Sequence, residues 1–221
     1  MKDTVAIILA GGEGKRFGMH KQFIPIYGVP VFMHTLVKFD GMDVILVAPT
    51  AYHSVVQNTL SYYKPSGSVK TVQGGNTRQE SVYNALSHIN NYCKYKNVVI
   101  TDANRPCIAR STVSKCVAEL KNNKAVATIC KSINTSCTSG DGVYLGKVLD
   151  RRKMYELLMP QCFDFKLLWL AHQNTNKSDA SDDTQLLPSA VKIKLVEISI
   201  WESLKLTNPD DYKIFETLLR G

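Results

Sequence analysis

The sequence predicts an α/β fold, a mostly parallel sheet with helices on both faces. Three observations predict it. Short apolar runs rich in β-branched residues recur at 5–10, 44–47, 98–100 and 125–129. Such runs have the length and side chains of strands buried on both faces. Segments of helical period stand between them, and strands alternating with helices build right-handed βαβ units. Finally, 221 residues at 44% hydrophobic suit one domain, 1–221, with a proper core.

The first strand carries the strongest chemical signal. It breaks into Gly11-Gly12-Glu13-Gly14-Lys15-Arg16-Phe17-Gly18, then Met19-His20-Lys21-Gln22. Glycines admit positive φ and let backbone N–H groups approach an anion with no Cβ in the way. Arg16 and Lys21 add fixed positive charge beside that cradle. A glycine loop alone also serves as a tight strand-to-helix turn. Glycines, arginine and lysine together after the first strand favour nucleotide binding. Two motifs are excluded. The P-loop needs Gly-Lys-Ser/Thr, and Gly14-Lys15 is followed by Arg16. The dinucleotide fingerprint needs a final glycine where Phe17 stands.

The remaining elements follow in order. A turn at 28–30 leads to a helix over 31–39, with Phe32, Leu36 and Phe39 on one side. Pro49 stops the second strand, and a helix spans 53–62. A loop at 65–67 precedes a short strand at 69–72. The stretch Gln73-Gly74-Gly75-Asn76-Thr77-Arg78-Gln79-Glu80-Ser81-Val82 then opens a helix over 81–90. It lies at the carboxyl edge of the sheet, where open α/β folds bind ligands. Strand 98–100 ends in Thr101-Asp102-Ala103-Asn104-Arg105-Pro106. Asp102 there can hold Mg²⁺ through oxygen, and Arg105 can grip a phosphate. The bland alternative is an Asp–Arg pair that fixes a loop.

A helix over 111–121 and the strand 125–129 come next. Residues 131–150 are rich in Ser, Thr and Gly and read as a β-hairpin with no helix to pack on. Phe165, Leu168 and Trp169 form the core stripe of a later helix. Asp182 and Asp183 read as caps of the element that follows, rather than as metal ligands. A late strand covers 191–200, and Pro209-Asp210 opens a C-terminal helix.

Several of these stretches together resemble one family. Leu9-Ala10-Gly11-Gly12-x-Gly-x-Arg16 with Lys21 is similar to the signature loop of sugar-phosphate nucleotidyltransferases. Gly-Gly-x-x-Arg-x-x-Ser-Val at 74–82 is similar to the cytosine-holding stretch of the methylerythritol-phosphate and ribitol-phosphate cytidylyltransferases. Asp-Ala-x-Arg-Pro at 102–106 is their third motif, with Thr101 in place of His. Leu204-Lys205-Leu206-Thr207-x-Pro209 is the fourth, with Ser203 in place of Asn. Pro160-Gln161-Cys162-Phe163 and Ala180-Ser181-Asp182-Asp183 match two further stretches. Family pockets for methylerythritol phosphate place Thr at three positions. Met159 and Ser181 stand at two of them, and Asn134 or Thr135 at the third.

The resemblance implies a Rossmann-like sheet with a protruding β-arm near 131–150 that exchanges with a second subunit in a homodimer. It implies CTP plus a polyol or sugar phosphate giving a CDP-polyol and pyrophosphate. Arg16, Lys21 and Lys205 would be catalytic. Ala10, Gly11, Gly12, Gly14, Gly74, Gly75, Asn76, Arg78, Ser81 and Asp102 would bind the nucleotide. Asp102, Arg105, Arg151 and Ser181 would bind the acceptor, Arg151 reaching the partner's site. Mg²⁺ would sit near Asp102. Other acceptors used in surface polysaccharide synthesis, and a non-catalytic nucleotide-binding module, are the alternative readings. Three cations at one pocket exceed what binding alone requires.

The formal charge of +8 suits attraction of a polyanion. The basic residues are spread without a dense block or basic-aromatic strips, which points to a triphosphate rather than nucleic acid. Six cysteines without a C-x-x-C pair read as free thiols of a reducing cytoplasm. No signal peptide or spanning run is seen. The five histidines lack metal spacing, and His20 alone lies near the predicted chemistry.

Overall fold

The computed structural model describes residues 3–12, 14, 17–92 and 94–220. The elements are β1 (Thr4–Leu9), β2 (Pro25–Ile26), β3 (Val29–Pro30), α1 (Val31–Leu36), β4 (Asp43–Ala48), α2 (His53–Tyr63) and β5 (Val69–Gln73). They continue with α3 (Arg78–Asn90), β6 (Asn97–Asp102), α4 (Arg110–Glu119), β7 (Ala125–Lys131), β8 (Tyr155–Asp164) and α5 (Phe165–Asn174). The chain ends with β9 (Ile193–Glu197), α6 (Ile200–Ser203) and α7 (Asp211–Leu218). Seven strands form one sheet in the order β5-β4-β1-β6-β8-β7-β9. β5, β4, β1 and β6 run parallel, as do β7 and β9. Only β8 opposes its neighbours.

Alternation along β1 explains the two layers of helices. Ala6 and Ile8 face one way and pack with Phe32, Met33 and Leu36 of α1, Val56 of α2 and Val113 of α4. Val5 and Ile7 face the other way and pack with Val82, Leu86 and Ile89 of α3 and Leu168 of α5. Both faces of the central strand are therefore dry, and each large side chain buried there contributes about 1.5–3 kcal/mol. Phe32, Leu36 and Phe39 are buried as the helical spacing requires, although α1 tightens to a 3₁₀ turn over Val37–Phe39.

The boundaries depart from the sequence reading where side chains cap the backbone. α3 begins at Arg78 rather than Ser81, because the Thr77 hydroxyl accepts from the Glu80 N–H at 3.1 Å. Arg78 therefore sits in the first turn of a helix, not in a loop. α4 begins and ends slightly earlier than 111–121. β9 is shorter than 191–200, because a capping box between Ser199 and Glu202 turns the chain into α6. α7 is fixed not by Asp210 but by Asp211, whose carboxylate accepts from the N–H groups of Thr207 and Asn208 at 2.7 and 2.8 Å.

β8 is a central strand that contains a proline. Pro160 falls where the pairing with β7 slips between Ala127 and Thr128, so no ladder bond needs its missing N–H. Residues 131–150 lie outside the core. The segment folds back on itself through an isolated Cys137–Val148 pair and the Thr138 N–H donating to Lys147 O at 2.9 Å. Val143, Tyr144 and Leu145 are each more than 70% exposed. Among the described residues no helix is long and apolar enough to cross a membrane. Cys107, Cys116, Cys130, Cys137 and Cys162 are free thiols, and Cys93 lies outside the described residues.

Candidate active site

In the parallel half of the sheet the strand order reverses between β1 and β6, and the segments leaving those strands border a crevice. A cleft of about 840 Å³ opens there and extends to the segment that leaves β5. That size suits a nucleotide-like ligand.

The floor is the glycine loop. Gly14 has φ +70, and a Cβ there would collide with the Met19 carbonyl, so glycine is obligatory. The loop is held from below by Gln22, a buried side chain whose amide donates to the carbonyls of Ala10 and Gly12 at 2.5 and 2.9 Å. Across the cleft, a Cβ on Gly74 would stand 3.5 Å from the Gly11 Cα. The two glycine turns thus press backbone against backbone. The Ser81 hydroxyl accepts from the Gly75 N–H at 3.0 Å and locks the second turn to α3.

The opposite wall is charged. Asp102 ends β6, and its Oδ2 takes Lys205 Nζ at 2.9 Å and Arg105 Nε at 3.1 Å. Burial alone would raise this carboxyl, but the Lys205 and Arg105 charges outweigh it and hold it well below the usual carboxylate range. Lys205 comes from the far end of the chain. Asn104 brings it there: its amide donates to Leu206 O at 2.6 Å, while the Leu206 N–H donates to Asn104 O at 2.9 Å. Leu206 is also buried with Ile26, Val31 and Phe215, so the small β2–β3 hairpin and α7 clamp the same segment. Lys21 Nζ donates to Thr207 O at 3.3 Å, from the other side of the cleft.

Arg78 completes the lining. Its guanidinium forms an ion pair with Asp183 at 2.7 Å, and the other Asp183 oxygen lies 3.0 Å from His172 Nε2. Burial would raise the Asp183 carboxyl, but the hydrogen bond from His172 and the charge of Arg78 pull it below its ordinary value.

Among the described residues the cleft offers a glycine cradle, two lysines, one arginine and one carboxylate, a set that can hold a triphosphate and stabilise charge on it. The family model described as IspD, 2-C-methyl-D-erythritol 4-phosphate cytidylyltransferase, matches residues 4–221. The chain belongs to that family. It is a cytidylyltransferase, and solved structures agree. The 4-diphosphocytidyl-2C-methyl-D-erythritol synthase of Anaerococcus prevotii is similar at 26% identity and a TM-score of 0.86, over 100% of this chain and 97% of that one. The 2-C-methyl-D-erythritol 4-phosphate cytidylyltransferase of Thermus thermophilus is 26% identical, with a TM-score of 0.79 and full coverage of both chains. The bifunctional IspDF of Campylobacter jejuni shares the fold at 24% identity and a TM-score of 0.74, over 96% of this chain and 53% of that one.

Of the residues named from the sequence, the cytidylyltransferase cleft gathers Gly11, Gly12, Gly14, Lys21, Gly74, Gly75, Asn76, Arg78, Ser81, Asp102 and Lys205. Arg16 lies outside the described residues. Ala10 is not in the lining: it is buried, its N–H donates to Val47 O and its carbonyl is taken by Gln22. Arg105 stands behind Asp102, its guanidinium also donating to Ser203 O at 2.7 Å. Arg151 lies in an exposed turn, Arg151–Lys153, at the base of the arm and does not line the cleft of its own chain. Ser181 is exposed outside the cleft, where its hydroxyl meets the Gln185 amide at 3.2 Å. Met159 is buried. Asp182 does cap a turn, accepting from the Thr184 N–H at 2.9 Å, but Asp183 is an ion-pair centre and not a cap. His20 lines the cleft with its ring 4.8 Å from that of Tyr52.

Gln22, Asn104, Asp183 and His172 are the residues that sequence reasoning missed. Gln22 follows Lys21 directly and could have been noticed as a donor beside a glycine loop. Nothing local marks the other three, because their partners come from distant parts of the chain.

Proposed function

We propose that this cytidylyltransferase joins CMP from CTP to 2-C-methyl-D-erythritol 4-phosphate and releases pyrophosphate. The observation that carries the reading is the meeting of the glycine loop, the Gly74–Ser81 wall and the Asp102–Lys205 pair in one cleft. An oxygen of the acceptor phosphate attacks the α-phosphorus, the bond from that phosphorus to the bridging oxygen breaks, and pyrophosphate leaves with those electrons. The attacking oxygen is already ionised at neutral pH, so the protein supplies position and positive charge rather than a base. Lys21 and Lys205 line the cleft where that charge is needed. Arg16, on the same glycine loop, is assigned to the α-phosphate.

Asp102 is the one carboxylate of the described lining, and among the described residues no group of three metal-ligating side chains exists. Mg²⁺ takes few protein oxygens and completes its shell with phosphates and water. The residues therefore fit Mg²⁺ held by Asp102 together with the triphosphate, where it would neutralise phosphate charge. We assign the active form to a homodimer in which the arm at 131–150 lends Arg151 to the partner's acceptor site.

The test is pyrophosphate release from a panel of CTP, UTP, ATP and GTP against methylerythritol 4-phosphate and ribitol 5-phosphate. CTP with methylerythritol phosphate should give the highest kcat/KM. Equal turnover with UTP would remove the base-site assignment. Turnover with ribitol phosphate in its place would overturn the acceptor.

A further inference from the structure

The Arg78 guanidinium presents a problem of placement. It is a long cationic side chain in a cleft read as binding a triphosphate, and an untethered arginine would be drawn to the phosphates. It does not stand free. Asp183 Oδ2 lies 2.7 Å from Arg78 Nη2, and the side chain of Asp183 is 1% exposed. His172 Nε2 lies 3.0 Å from the second Asp183 oxygen, and that side chain is also 1% exposed. Three elements meet at this carboxylate: the first turn of α3, the body of α5 and the 3₁₀ turn Asp183–Leu186.

The surrounding bonds fix the geometry further. Gln79, next to Arg78, accepts from the Ala180 N–H at 2.7 Å and donates to Lys177 O at 2.6 Å. Gln161 on β8 donates to Asp182 at 2.7 Å. Arg78 and Asp183 are thus held in register by contacts other than their own. Arg78 lines the cleft, yet its Nη1 and Nη2 are enclosed and, beyond the ion pair with Asp183, neither makes a hydrogen bond among the described residues. An enclosed donor without a hydrogen-bond partner beside a cleft has capacity for a ligand acceptor that enters there.

We propose that Asp183, backed by His172, is a positioning residue for nucleotide choice: it holds Arg78 against the base wall, where the guanidinium can donate to the acceptor edge of cytosine. This rests on the reading of CTP as the nucleotide. Cytosine presents O2 and N3 as adjacent acceptors, whereas N3 of uracil carries a hydrogen and repels a donor. A fixed donor separates the two bases, and a mobile one would not, because a site built for a hydrogen bond penalises the ligand that lacks the partner. The opposite charge of Asp183 keeps Arg78 ionised, and the planar fork gives it direction.

The experiment is calorimetric titration of the full chain with CTP and with UTP, Mg²⁺ present, on wild type, Asp183→Asn, Arg78→Ala and the double variant. Asp183→Asn should weaken CTP by about tenfold and lower the CTP-over-UTP preference by about tenfold, with little change for UTP. In the Arg78→Ala background the same change should alter the preference no further. Should Asp183→Asn fail to fold, His172→Leu leaves the ion pair and removes only its support, and a loss of preference of about threefold is expected. An unchanged preference in whichever of these folds, or an equal loss with and without Arg78, overturns the proposal. If wild type itself binds UTP as well as CTP, the nucleotide assignment fails and this inference with it. If wild type prefers CTP and the variants keep that preference, only this inference fails.

Discussion

Lys21 and Lys205 come from opposite ends of the chain and are steadied by one short segment. Lys205 pairs with Asp102, while Lys21 reaches the Thr207 carbonyl two residues beyond it. The Lys21 side chain lines the cleft, where its ammonium can meet a phosphate oxygen. Its charge counts most when the α-phosphorus is five-coordinate and negative charge gathers on the equatorial oxygens. Steady-state kinetics on Lys21→Ala should therefore show kcat lower by about 10²–10³-fold with the KM for CTP within about threefold. A KM effect alone would mean that Lys21 serves ground-state binding. Lys21→Arg should restore activity only in part, because a planar fork does not replace a compact point charge. Asn104 acts at the same scale, as a lining residue that also places its neighbour. Its two bonds to Leu206 decide where Lys205 stands.

Elements are joined in this protein by a few buried or half-buried acids. Asp43, at the start of β4, accepts from Lys94 at 2.8 Å, from the Tyr95 hydroxyl at 2.6 Å and from both the N–H and hydroxyl of Ser68. It thereby ties β4 to the approaches of β5 and β6, at the edge of the sheet away from the cleft. The hydrogen bonds from Lys94 and Tyr95 hold its carboxyl well below the ordinary 3.8. A depressed folded value means the unfolded chain binds the proton first as pH falls. The stabilisation is then complete above the unfolded value and is lost as the pH drops toward the folded one. Asp43→Asn should lower Tm at pH 7 by several degrees, since about 1 kcal/mol moves Tm roughly 2–4 °C in a chain of this size. The gap from wild type should narrow as thermal melts are taken below about pH 4. A gap that stays constant into acid would show that the Asp43 charge is not what joins these strands.

At the scale of the whole molecule the chain has a compact sheet and one exposed extension. Val143, Tyr144 and Leu145 on that extension are 75%, 76% and 71% exposed. Apolar side chains so placed suit burial against a second copy. Arg151 stands at the base of the same extension, away from its own cleft. If the subunits share sites, an Arg16→Ala chain and an Arg151→Ala chain fail for different reasons and can repair each other. After subunit exchange, the mixed population should regain roughly a quarter of wild-type activity, from half the dimers carrying one intact site. Mixtures that exchange subunits, as followed by mass, and recover nothing would show that Arg151 does not cross.

The parallel strands of the sheet, its two helical layers and the glycine loop were legible in the sequence, because these follow from local pattern, whereas the antiparallel β8 (Tyr155–Asp164) was not. Continuous apolar runs and helical periodicity set those elements, and a positive φ at Gly14 demands its residue type wherever the chain goes next. The sequence also determined most of the cleft, since Asp102, Gly74 and Gly75 lie at the ends of strands whose edge is fixed by parallel pairing. Tertiary structure alone decided what holds those residues in place. Pro160 becomes part of a central strand only because β7 slips opposite it. Arg78 becomes a fixed donor only because Asp183 and His172 arrive from elements far along the chain. Nor does anything near Asn104 foretell Leu206. A buried polar group must find a partner somewhere, and packing rather than neighbouring sequence chooses which one.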